Sequence, residues 1–342
     1  MVGTVRCANR WAIGVAAVVV WGLTGCLERR EEIRVSPDGA VTLRSTLRGD
    51  PADITGPGDA MPVAGRTWAV TDAPQEDGNR LVRVAEAVVP PGGAIPESYA
   101  EPDDPRGHAA LRFPTTLTIE ERPDGTYYHL RRTYVARQDA TYTYMKRLLE
   151  EEDRLPLDTD PRDLTDAQRA ELVDALKRIE VDKHLHFVDA GLAALPDLPQ
   201  DRALAVRSAV VRAAETYDAG PILALLVQEE SAERNAAIAA GAEAFVAGLR
   251  AAVDAALTAQ GIAGADRAAF EAAYRAEEDR RAVTEDLADE RWVVRVNLPG
   301  EVVAHNADRV EDGTLVWEFT ALAVMDRDQV IMASSRVPRR GQ

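Results

Sequence analysis

Cysteine is almost missing from this chain. Two occur in 342 residues, Cys7 and Cys26, both near the N-terminal end. The rest of the sequence can build no disulfide framework, no cysteine metal site and no thiol nucleophile. Stability must come from a packed core, and the length allows one large domain or two. Lysine is scarce as well. Only Lys146, Lys177 and Lys183 occur, and none follows a glycine, which excludes a P-loop. Neither G-x-S-x-G nor H-E-x-x-H is present, and nothing in the sequence implies a cofactor. Positive charge is outweighed, at a net −17. Such a surface repels polyanions, so nucleic acid is removed from the candidate partners.

What is present begins at the N-terminus. Arg6 and Arg10 precede an apolar run from Trp11 to Thr24, which ends in Leu23-Thr24-Gly25-Cys26. A basic segment, a short apolar segment and small residues before the cut make a secretory signal. The run is shorter than the roughly 20 apolar residues that span a bilayer. With cysteine at the cut, Leu-Thr-Gly-Cys resembles the lipobox of bacterial lipoproteins. That resemblance implies removal of residues 1–25, a diacylglycerol on the Cys26 sulfur and an acylated new N-terminus. One acyl chain holds a protein marginally, whereas two or more hold it stably. The membrane, reached through lipid on Cys26, is thus the first expected partner. The expected address is the extracytoplasmic face of the cell envelope, with inner and outer membrane both open.

Beyond Cys26 the hydrophobic period changes twice. Val41, Leu43, Ser45 and Leu47 alternate with Thr42, Arg44, Thr46 and Arg48, and Ile33 and Val35 precede them across Ser36-Pro37-Asp38-Gly39. That is a hairpin signature. Leu111, Phe113, Leu117 and Ile119 are expected on one face, returning through Tyr128, Leu130 and Tyr134 after Pro123-Asp124-Gly125. Residues 66–71 and 79–89 read as further strands. From residue 141 the period is helical. Thr165-Asp166-Ala167-Gln168 is a capping box, a second helix is expected from Asp201 to Gly220-Pro221, and a third stretch reaches Gln260. Asp266 is expected to cap a fourth helix that places Phe270 beside Tyr274. From Trp292 the period returns to two: Trp292, Val294 and Val296 form one stripe, Leu315, Trp317 and Phe319 another, and residues 328–336 a last strand. The expected fold is α+β. Residues 26–140 and 290–342 form an antiparallel β module, and residues 141–289 form an inserted helical bundle or long helical hairpin.

Two short patterns carry a family resemblance. Asn297-Leu298-Pro299-Gly300-Glu301-Val302-Val303 is followed by His305-Asn306 and then by Val316-Trp317-Glu318-Phe319. This C-terminal pattern, with the lipobox and the Pro-Asp-Gly hairpin, resembles bacterial lipoproteins that have an LppM-type domain. The resemblance covers about a third of the chain beyond the signal. It implies an envelope-facing α+β module that binds lipid or a partner, and it implies no catalytic residue.

Candidate chemistry is sparse. His184, His186 and Asp189 are the best metal-ligating candidates. Two histidines at i and i+2 share a face in a strand, but on a helix they diverge by about 200°. The segment follows a helix, so His184 and His186 are expected at a solvated helix end, with His186 near Asp189. Asp158, Asp160 and Asp163 begin like a calcium loop, but Asp163 and Arg169 stand where such a loop needs Gly and Glu. Tyr142, Tyr144 and Met145 are expected to pack at the junction of the β module and the helices. The functional expectation is a lipid-anchored, non-catalytic binding or scaffolding module, its helical insertion meeting an envelope protein. The alternatives are an envelope hydrolase with an unidentified acidic site and a lipid-binding carrier.

Overall fold

The computed structural model describes residues 27–51, 54, 61–75, 80–101, 104, 107–137, 160–287, 290–320 and 323–339. The protein is α+β and divides into two compact units. One comprises the described residues of 24–139 and 279–342, the other those of 140–278.

The first unit is built from strands of both chain ends. A seven-stranded sheet has the order β3-β4-β2-β1-β7-β10-β9. Its strands are β1 (Glu28–Val35), β2 (Val41–Gly49), β3 (Ala69–Pro74), β4 (Leu81–Val89), β7 (Arg291–Asn297), β9 (Arg309–Glu311) and β10 (Thr314–Thr320). A four-stranded sheet has the order β5-β6-β11-β8, from β5 (Thr115–Arg122), β6 (Gly125–Tyr134), β8 (Glu301–His305) and β11 (Gln329–Pro338). The β1–β2 hairpin follows its alternation: Ile33 pairs with Leu43, Val35 with Val41, and Gly39 takes φ 89° in the turn. The N- and C-terminal strands meet twice, β6 beside β11 and β1 beside β7.

Three details depart from the period-two expectation. The β1–β7 pairing is parallel, the other strand pairings being antiparallel. No hairpin joins β1 to β7, so nothing forces them to run in opposite directions. Val293 and Val316, on the face opposite Trp292 and Trp317, are buried too, as for strands covered on both sides. Ile119, expected inward, is 42% exposed. It lies on edge strand β5, and its tip reaches the Gly39 turn.

The second unit is helical. Its elements are α1 (Asp166–Ala193), α2 (Gln200–Thr216), α3 (Gly220–Leu226), α4 (Ala232–Ala259) and the first part of α5 (Gly264–Leu287), whose last turns belong to the β unit. The capping box forms as the sequence requires: Gln168 N–H donates to Thr165 Oγ1, and Thr165 N–H donates to the Gln168 side chain. Pro221 opens α3. The stretch expected to run to Gln260 is instead two helices. Ser231 accepts from Arg234 N–H and starts a new N-terminus, a cap signal that apolar periodicity does not register. Asp266 is not the cap of α5 but lies in its first turn, where the helix dipole favours a carboxylate.

Neighbouring helices run antiparallel. Arg202 near the start of α2 bonds the carbonyl of Gln260 after α4, and Tyr217 after α2 donates to Gly241 O. Val206, Val210, Phe245, Leu249, Val253 and Leu257 are the centre of the core. Gly191 lets α1 approach α5, since a Cβ there would lie 2.6 Å from the Phe270 ring. Among the described residues, α4 is long and apolar enough to cross a membrane. Its large apolar side chains nevertheless face the helical core, and alanine supplies much of the remaining hydropathy.

Candidate functional site

Cys26, Tyr142, Tyr144, Met145 and Asp158 lie outside the described residues. Asp160 caps and Asp163 ends a short 3-10 turn at Pro161–Asp163, where Asp160 accepts from the Arg162 amide and guanidinium.

His184, His186 and Asp189 sit within α1, which continues to Ala193. The expected helix end is therefore a helix interior. His184 is 1% exposed, and its Nδ1 lies 2.9 Å from the carbonyl oxygen of Glu180. The His186 side chain is half exposed and bonds Glu277 at 2.9 Å. Asp189 pairs with Arg207. Each residue thus faces a different neighbour. Among the described residues, no three His, Cys, Asp or Glu side chains converge as a metal site.

The main concentration of buried charge is in the β unit and was not anticipated. Arg29 and Glu31 point inward from β1, where the strand's alternation otherwise places Leu27, Ile33 and Val35. Glu31 accepts from Arg132 Nη2 at 2.7 Å, from the Tyr134 hydroxyl at 2.6 Å and from the Tyr99 hydroxyl. Arg29 grips Glu290 through two bonds of 2.9 Å, and Trp292 Nε1 donates to the same carboxylate at 2.7 Å. Aromatic faces cover both cations. Arg29 stands 5.0 Å from the Tyr99 ring centre and 5.6 Å from that of Trp292, and Arg132 stands 3.9 Å from that of Phe113. Stacking on a π face partly replaces lost hydration.

The electrostatics follow from these contacts. Burial opposes the charge on Glu31, but Arg132 and the two tyrosine hydroxyls outweigh it and hold the carboxyl below its usual range. Burial and the charge of Glu31 push the Tyr99 and Tyr134 hydroxyls up. A general acid or base works best with a pKa near the operating pH. Every shift here runs the other way and fixes the charged pair and neutral phenols over the physiological range.

A second constellation lies on the opposite face of the four-stranded sheet. His129 and Ser334 are direct cross-strand partners, with Nδ1 2.8 Å from Oγ. Glu120 is 4.0 Å from His129 Nε2, too far for a hydrogen bond, and Arg122 holds it at 2.5 Å. Among the described residues, the serine–histidine pair therefore lacks the bonded carboxylate that would orient the ring for nucleophilic catalysis. These residues are far apart in sequence and no motif links them. The buried network did leave a sequence signal, as charges at inward positions of β1 and β6. In β1 the continuous run Glu28-Arg29-Arg30-Glu31-Glu32 conceals that alternation.

No protein-family model matches the chain, and no curated protein does. Among solved structures it is similar to the folded domain of the Mycobacterium tuberculosis LppM protein, solved by NMR. The identity is 11% and the TM-score 0.30, over 92% of each chain.

Proposed function

We propose that this protein is a lipid-anchored component of a bacterial cell envelope, acting as a non-catalytic binding or scaffolding module. In this reading, acyl chains on Cys26 hold it at the membrane, and the helical unit is the arm that meets a protein partner. The observation that carries the non-catalytic part is the commitment of the buried charges. Glu31 is held by Arg132, Tyr99 and Tyr134, and Glu290 by Arg29 and Trp292, with Arg132 Nε the one guanidinium nitrogen of that residue lacking a hydrogen bond among the described residues. Carboxylates committed to several buried donors in this way rigidify and specify a core. The signal ending in Leu23-Thr24-Gly25-Cys26 supports the anchor. The Ala-rich helices support the arm, because a narrow apolar seam suits helix–helix contact.

The test is replacement of residues 140–278 by a short Gly/Ser linker, within the unit boundary at Glu278. The shortened protein should remain in the membrane fraction and melt cooperatively, yet lose the crosslinks that the full protein makes in its own membranes. Retention of every crosslink would remove the recognition role from the helices.

A further inference from the structure

We infer that His184 makes the helical unit acid-sensitive: a proton arriving on its ring charges a group buried within that unit and loosens its packing. The ring is 1% exposed. A carbonyl can only accept, so Nδ1 carries the proton that bonds Glu180 O at 2.9 Å. Nε2 is then the bare acceptor, is buried, and has no hydrogen-bonding partner among the described residues. A proton added to Nε2 would make a buried donor with nothing to accept it. An unsatisfied buried charge is among the costliest things a core can hold. The adjacent Phe187 ring, 5.7 Å away centre to centre, offers no acceptor of comparable strength, and it leads through a 5.5 Å ring contact to Tyr274 on α5.

The charged neighbours do not supply a dedicated counter-ion. On α1, Glu180 Oε2 has no hydrogen-bond partner among the described residues but stands 4.0 Å from Nδ1, beyond hydrogen-bond reach, while Oε1 of the same carboxylate pairs with Lys183 at 2.8 Å. Lys183 and Arg250 of α4 both repel an imidazolium. On α5, Glu278 is taken by Arg250, and Glu277 is bonded to the exposed His186. Tyr274 is itself pushed up to about 12, chiefly by burial. On the α2 side, Arg207 and Asp189 neutralise each other. Burial is the largest influence on His184 and holds it below its ordinary value, despite the opposing pull of Glu180.

The sign follows. An unfolded histidine takes up its proton near pH 6.5, while the folded one resists it. The unfolded state therefore binds more protons, and stability falls as pH drops through about 6.5 toward the folded value. The loss reaches about tenfold in the folding equilibrium per pH unit, the slope for one proton.

The experiment uses the full lipoprotein in detergent, melted at pH 7.5, 6.5 and 5.5. Far-UV circular dichroism follows the helices. Fluorescence follows Trp68, Trp292 and Trp317, all in the β unit. The helical transition should shift down with acid well before the fluorescence transition does. His184→Leu should remove most of that shift, and His186→Gln should keep it. An unchanged acid shift in His184→Leu, or none in wild type, would overturn the inference. Should His184→Leu fail to fold, the His184 ring proton in wild-type NMR decides. Titration only alongside loss of helical signal supports the switch, and titration within an intact fold near pH 6.5 contradicts it.

Discussion

Glu31→Ala should cost the β unit about 3–5 kcal/mol, the usual penalty for breaking a buried ion pair from one side. The substitution strands Arg132, whose cation stays buried against Phe113, leaves the Tyr134 hydroxyl without its acceptor, and leaves the Tyr99 hydroxyl only the longer bond to Ser45 Oγ. A whole domain is commonly stable by only about 5–15 kcal/mol, so the loss is a large share. Urea titration followed by tryptophan fluorescence measures it. Replacing Glu31 and Arg132 together by apolar residues of similar volume should cost less than Glu31→Ala alone, because no charge is then left unpaired. The pH dependence has a definite sign. Glu31 is held below its ordinary range when folded, so its contribution is present at neutral pH and is lost as acid passes below the ordinary glutamate value toward the folded one. Glu31→Ala should lack that acid-labile part. A stability within 1 kcal/mol of wild type would mean the network is incidental.

Gly300→Ala should be the costliest single-methyl change at the C-terminal corner. Leu298-Pro299-Gly300 passes the chain from β7 in the larger sheet to β8 in the smaller one. Gly300 has φ 78°, and an added Cβ would lie 2.2 Å from the Arg336 carbonyl oxygen and 2.7 Å from its carbon. The left-handed conformation costs a non-glycine residue roughly 1–2 kcal/mol. Displacing β11 backbone to make room should add about 1–3 kcal/mol. Gly313→Ala separates the two contributions. Gly313 has φ 81° with open space around it, so only the conformational part applies. Equal losses in thermal melts of the two variants would show that the close approach at Gly300 is unimportant.

Elements with a strong local rule could be read from the chain alone. Ser36-Pro37-Asp38-Gly39 fixed the first hairpin, Thr165–Gln168 the start of α1, and Pro221 the start of α3. What could not be read depended on partners distant in sequence. Whether β1 meets β7 in parallel or antiparallel fashion is decided by the whole intervening chain, not by either strand's period. The inward placement of Arg29 and Glu31 becomes intelligible only once Glu290 and Arg132 arrive from elsewhere. The direction of His184 depended on α1 continuing to Ala193, and an Ala-Gly-Leu-Ala ending marks that limit weakly. His129 and Ser334 meet only because β6 and β11 pair.

The most direct measurement concerns the anchor, on which the envelope role rests. Cells expressing the protein are fed an alkyne fatty acid, and the purified chain is examined for the label. Wild type should carry it, release residues 1–25 and stay with the membrane fraction. Cys26→Ser should carry none and should no longer be held by lipid. Equal labelling of both, or an unlabelled wild type that is secreted free, would contradict a lipid-anchored envelope protein.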